Sequence, residues 1–338
     1  MAQLNSIVCT GVIRGLNTIY GSNLVIGTLK SGTTLGIHAT VFGDDNEASN
    51  FYDHAEGYQT TASGGASHAE GFQTTASNSY AHAEGIQTTA SNSATHAEGN
   101  HTTASGQDSH AEGNGTTAND SYAHAEGNGT TASAYGAHAE GLQTIADGNY
   151  SHTEGYGSTT TGVASHAEGD HTTAKYRSQH VFGEYNIVDP STVPDTTRRG
   201  TYVEIVGNGT SSTRANARTL NWNGNEWIKG TLTQGSSIEI KKNVADMTQE
   251  DGDKILNLRP VVFDYKSSEK DIQAERGFIA EEVSEIIPNL VTDKIVNDEG
   301  ETVAPASLNY IAMIPYLVKV CQRQQKEIDG LKAALKSK

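Results

Sequence analysis

The chain has 338 residues and a formal net charge of −17, which argues against nucleic-acid binding through phosphate contacts. Thirty-six Gly against six Pro, with 7% aromatic residues, disfavours one ordinary apolar core and suits a repetitive β architecture. Cys9 and Cys321 are the two cysteines, so neither a disulfide framework nor a Cys-rich metal site is available.

The first residues, MAQLNSIVCTGVIRGLNTIYG, lack the basic segment and continuous apolar run of a secretory signal, and no run of eighteen apolar residues follows. A soluble protein made in the cytoplasm, with no membrane partner, is expected. Residues 1–39 alternate short apolar runs with Gly and Asn turns and are predicted to form a small β attachment segment.

From residue 40 to 186 the sequence repeats every fourteen residues. His54, His68, His82, His96, His110, His124, His138, His152, His166 and His180 keep that spacing without a slip. Nine of the ten are followed two residues later by Glu: Glu56, Glu70, Glu84, Glu98, Glu112, Glu126, Glu140, Glu154 and Glu168. Strict recurrence means that each unit fills the same structural slot, one rung of a stack. Fourteen residues accommodate two short strands and two tight turns, with H-A-E and T-T-A as strands. Gly85 and the S-N-S type segments then supply the positive φ of the turns. At about 4.8 Å per rung, ten coils make a rod about 50 Å long.

Residues 54–180 contain only five large apolar side chains of the Val, Ile, Leu, Met, Phe or Trp kind: Phe72, Ile86, Leu142, Ile145 and Val163. A coil so narrow that Ala and Thr fill it satisfies both this composition and the period. Alternation along a strand puts Ala83 inside and His82 and Glu84 together on the opposite face. The matching units TVFG at 40–43 and HVFG at 180–183 are expected to cap the stack.

The S-H-A-E-G units, as in residues 67–71 and 109–113, resemble the S-V-A-I-G repeats of YadA-like trimeric adhesin heads. The resemblance implies a left-handed parallel β-roll, three copies of which pack around one axis. Where that family carries two apolar residues, this chain carries His and Glu. A structural polar ladder is the first reading of these residues. A metal column is the sharper alternative, since His and carboxylate suit Zn, Fe or Ni, and a solvent-exposed ladder that recognises a ligand is the third. No metal or other cofactor is expected on the first reading. Catalysis by nine equivalent pairs is disfavoured, because an acid-base pair needs one special environment. A ladder held by protonated histidines would weaken as pH rises through their folded pKa.

Residues 187–235 form a Pro- and Thr-bearing connector followed by a β-rich stalk, in which Asn208-Gly209 and Asn223-Gly224 signal hairpins. From Ser236 to residue 338, Lys, Glu and aliphatic residues rise and Gly falls. In the last stretch, Ile314, Cys321, Ile328 and Leu335 share one heptad position, and Tyr310, Leu317, Gln324 and Leu331 the position three later. That pattern predicts a long trimerising helix, with Gln324 setting register.

Leu258, Pro260, Val261, Phe263, Tyr265 and Lys266 in one motif, and Gly277-Phe278-Ile279-Ala280 with Glu282-Val283 in a second, resemble the intramolecular chaperone of peptidase family S74. In that family a Ser-Lys dyad cuts the chain just before the serine. The resemblance places the serine on Ser236, the lysine on Lys241 and the cleavage junction between Gly235 and Ser236. Ser237 and Glu239 stand where the family has Asp and Arg.

Together these readings give a mainly β fold: a homotrimeric β-roll shaft, a β-hairpin stalk and a C-terminal α+β chaperone domain ending in a long helix. The expected role is structural and receptor-binding, in a phage tail fibre, spike or appendage. Expected partners are two further copies of the chain, other virion tail or baseplate proteins, and a host surface receptor of glycan or cell-wall type. The virion is the expected location, after assembly in the host cytoplasm. A bacterial surface adhesin and a polysaccharide-degrading tailspike are the alternatives.

Overall fold

In each H-A-E-G unit the central Ala points inward and is fully buried, while the flanking His and Glu project to the other side of the strand. This alternation is visible in a computed structural model that describes residues 23–193, 196–233, 236–264, 275–296 and 301–337. Residues 1–22, Gly235 of the expected junction, and Tyr265 and Lys266 of the first motif lie outside these. The chain divides after Thr233 into two compact units.

The first unit is a parallel β-solenoid of about eleven turns. The coils from His54 to Leu142 each contribute a five-residue strand such as His82–Ile86 and a two-residue strand such as Thr89–Ala90, and in the next two coils the longer strand shortens to His152–Thr153 and His166–Ala167. Every strand pairs in parallel with its equivalent one coil away, His82 opposite His68 and His96, Thr89 opposite Thr75 and Thr103. The two strand types build two parallel sheets. Both sheets direct Ala inward, and Thr60, Thr74, Thr88 and their equivalents fill the remaining interior. An Ala core buries little apolar surface per coil, so the unbroken backbone ladder carries a large share of the order.

Gly85 is required where it stands. Its φ is +108°, and a Cβ there would lie 2.1 Å from the carbonyl oxygen of Gly99 in the next coil. The other turns differ from expectation. The left-handed positions are held by Tyr80 (φ 61°) and Gln87 (φ 54°), with equivalents in other coils such as Tyr122 and Gln73, and not by the Asn of the S-N-S segment. These corner side chains face outward, and packing on both sides offsets the modest strain of φ above zero.

The solenoid ends as its sequence suggests. Val41 and Val181 replace the core Ala and are fully buried, while Phe42 and Phe182 occupy the Glu position in the first and last coils. Leu24–Leu29 adds a parallel strand before Thr40–Ala48, and Tyr202–Asn208 adds one after His180–Glu184. Asn216–Asn221 and Glu226–Ile228 then continue antiparallel. Asn223-Gly224 sits in the tight turn between those two strands. Asn208-Gly209 instead opens a longer loop pinched by a Thr210–Thr213 bridge.

The second unit has a conventional core of Leu258, Val283, Ile287, Leu290 and Met313. A short antiparallel pair, Val261–Phe263 with Glu275–Gly277, precedes the helix Ala280–Ile286. Arg259 and Glu282 join the two signature motifs through an ion pair. Ile314–Lys336 is a 23-residue helix. Tyr310 precedes it and is half exposed, and its hydroxyl accepts the Phe278 amide at 3.2 Å.

Candidate functional site

Two constellations gather chemistry-bearing residues. The first is the His–Glu column on the outer face of the longer-stranded sheet. Successive imidazoles stack with ring planes 1° to 30° apart and ring centroids 4.6 to 4.9 Å apart from His54 through His180. The i, i+2 relation places each Glu beside its own His, at 3.5 to 3.6 Å from Nε2 in the six coils from His54 to His124. Beyond that the partner changes. Glu140, Glu154 and Glu168 lie beside the histidine of the following coil, His152, His166 and His180, at 3.6 to 3.9 Å. The first changed pair, Glu140 with His152, adjoins the one unit in which Thr153 replaces the core Ala.

All ten Nε2 atoms are shielded from solvent and accept or donate no hydrogen bond. Burial, reinforced by the neighbouring imidazoles, lowers the pKa of His68, His110, His124, His138 and His166. These five therefore favour the neutral form, which reverses the sign of the pH dependence expected from a protonated ladder. The carboxylates couple in turn. Hydrogen bonding with Glu140 and Glu168, added to burial, pushes Glu154 up to about 7, while hydrogen bonds from Glu154 and Glu126 hold Glu140 down. Protons are thus shared along the upper part of the column.

The second constellation opens the second unit. A single 3₁₀ turn, Ile238–Ile240, carries Lys241 back over Ser236, and Lys241 Nζ donates to Ser236 Oγ at 2.7 Å. Ser237 starts that turn: its hydroxyl accepts the Glu239 amide at 3.1 Å. The predicted dyad pair is therefore in contact on an exposed segment. With the amine neutral, the same contact reversed lets the hydroxyl donate to Nζ, the arrangement a Ser-Lys nucleophile needs.

A family model described as the chaperone of endosialidase, Peptidase S74, matches residues 236–292. The chain carries a chaperone-of-endosialidase domain. No curated protein matches the chain. The match begins on Ser236 itself and covers both signature motifs, Arg259 and Glu282 included. It ends before the helix Ile314–Lys336. Along that helix the predicted seam of the chaperone region is exposed in the single chain: Ile314, Leu317, Ile328, Leu331 and Leu335, with Leu335 74% accessible. Cys321 and Gln324 are exposed on the same helix.

Proposed function

We propose that the chain is a phage virion protein, a tail fibre, spike or appendage, that works as a homotrimer. Its β-solenoid, left-handed in this reading, is the shaft, and the chaperone-of-endosialidase domain is the device that assembles it. The observation that carries the proposal is that domain following, after a short β stalk, a parallel solenoid of near-identical coils. Such a stack offers many near-equivalent registers to three chains, and parallel pairing forms slowly. A domain that trimerises first removes the ambiguity. The exposed Leu and Ile seam of the last helix supports this, since a stripe of that length is stable when it packs in a coiled coil.

The assembled shaft presents its turn edges and the His–Glu face to a host glycan or cell-wall receptor and joins other tail or baseplate proteins at one end. The Ser236–Lys241 contact supports a further step, self-cleavage at the Gly235–Ser236 bond. Ser236 Oγ adds to the Gly235 carbonyl carbon while Lys241 Nζ takes its proton. The C–N bond breaks to leave an ester and the free Ser236 amine, and water then hydrolyses the ester to the Gly235 carboxylate.

Native and denaturing mass measurement of the purified protein tests both parts. A mass of three chains supports the trimer, and a monomer sinks it. A product beginning at Ser236, lost in Ser236→Ala and Lys241→Ala, supports cleavage; an intact chain after prolonged incubation sinks that step alone.

A further inference from the structure

Between Lys30 and Lys175 the sequence contains no lysine or arginine. Seven carboxylates, Glu56 to Glu140, nevertheless stand in register at the spacing of adjacent strands, and Glu154 and Glu168 follow them at the same repeat position, so their charge has no fixed cationic side chain to meet it. Beside them stand ten imidazoles whose Nε2 atoms are shielded and unpartnered. Leaving such atoms unsatisfied is costly, and a shared ligand would relieve both problems wherever it binds.

Two places in the column bring two carboxylates to one imidazole across adjacent coils: Glu84, His96 and Glu98, and Glu154, His166 and Glu168. In each, one ligand atom from every residue lies within 4.8 Å of the others. His96 Nε2 is 3.6 Å from Glu98, and His166 Nε2 is 3.6 Å from Glu154. Those separations are long for a hydrogen bond but close to the edge of a tetrahedron, about 3.4 Å, spanned by ligands about 2.0 to 2.2 Å from a zinc ion. The remaining carboxylate closes its gap by rotating a half-exposed side chain.

We infer that these two triads are binding sites for a divalent transition ion of the zinc type, two ions per chain. The charge count favours them: two carboxylates and a neutral imidazole around a dication sum to zero. Two further groups in the column, built from two histidines and one glutamate, share His138 and leave a net positive charge when loaded. The imidazole ligand selects against Mg²⁺ and Ca²⁺, which prefer oxygen throughout. Bound ions also tie one coil to the next on the outer face, where the alanine core contributes least.

The test uses the full chain, stripped with chelator and dialysed against micromolar Zn²⁺ in excess Mg²⁺, with metal counted by elemental mass spectrometry. Two Zn²⁺ per chain are expected, falling to one in His96→Gln or His166→Gln and to none in the double variant. His101→Gln and His171→Gln, outside the column, are expected to retain two. Glu98→Gln with Glu168→Gln repeats the test with isosteric changes, and far-UV circular dichroism confirms that each variant is folded. Less than about 0.1 Zn²⁺ per chain, or full loading in the folded double variants, overturns the assignment. Native mass reads chain number and metal separately, so a zinc-loaded monomer sinks the trimer and leaves this site standing.

Discussion

The solenoid and the chaperone unit solve the same problem with opposite materials. In the second unit, five dissimilar buried side chains interlock around Leu258 and Leu290, and each position is unique. In the first, a single small side chain per strand, alanine in all but the Thr153–Thr160 coil and the Val-bearing ends, is repeated coil after coil, and what is specific is the distance from one backbone to the next. Side-chain volume sets the stability of one unit, and backbone proximity that of the other.

The largest expected effect separates them directly. Gly99→Ala forces a Cβ to 2.1 Å from the Gly113 carbonyl oxygen at a φ of +107°, and should cost about 3 kcal/mol or more, read by urea unfolding of the β signal. If that variant unfolds like the parent, backbone proximity is not what holds the coils. Next, Leu290→Ala should cost the second unit about 2–4 kcal/mol while the solenoid transition stays in place. Simultaneous loss of both transitions would contradict two independently stable units.

A smaller effect comes from pH. In chelator-treated protein, the five histidines with lowered folded pKa contribute stability that is complete above their unfolded value near 6.5 and is lost as pH falls through it. Glu154 has the opposite sign, losing stability as pH rises from about 4.5 through about 7. Glu126, raised by its hydrogen bond with Glu140 and by burial, has the same sign as Glu154, and five against two predicts a solenoid melting temperature that drops between pH 7 and 5. Glu154→Gln should steepen that drop, and a flat profile in both proteins would refute the neutral column. Least of all, Gly330→Ala in the last helix, with open space around it, should stabilise the chaperone unit by about 0.5–1 kcal/mol. A loss of stability there would mean that a packing partner approaches that helix.

How much of this the sequence revealed follows the same division. The solenoid was legible because a period of two within a strand and fourteen between coils leaves one solution: Ala inside, His and Glu outside. The Val and Phe of the end coils could be read in the same way. The turn conformations at Tyr80 and Gln87 could not, since neither residue type signals positive φ and only the geometry of the coil imposes it. The change of glutamate partner after His124 was equally hidden, since Thr153 in the His152 unit does not by itself say which histidine a glutamate faces. For the dyad, Ser236 and Lys241 were placed by resemblance. Their contact depends on one 3₁₀ turn, whose cap at Ser237 was not apparent from sequence.

The exact register of the coils has a last consequence. Because His68 faces His54 and His82 with no offset, and Ala, Glu and Gly follow suit, every interior coil has the same lower and upper surface. One coil can be removed or duplicated as a block of fourteen residues, and the cut faces still fit. The solenoid is therefore a ruler graduated in steps of about 4.8 Å. Reach can change by whole graduations without redesign of either end, while an insertion of any other length must leave the stack as a loop.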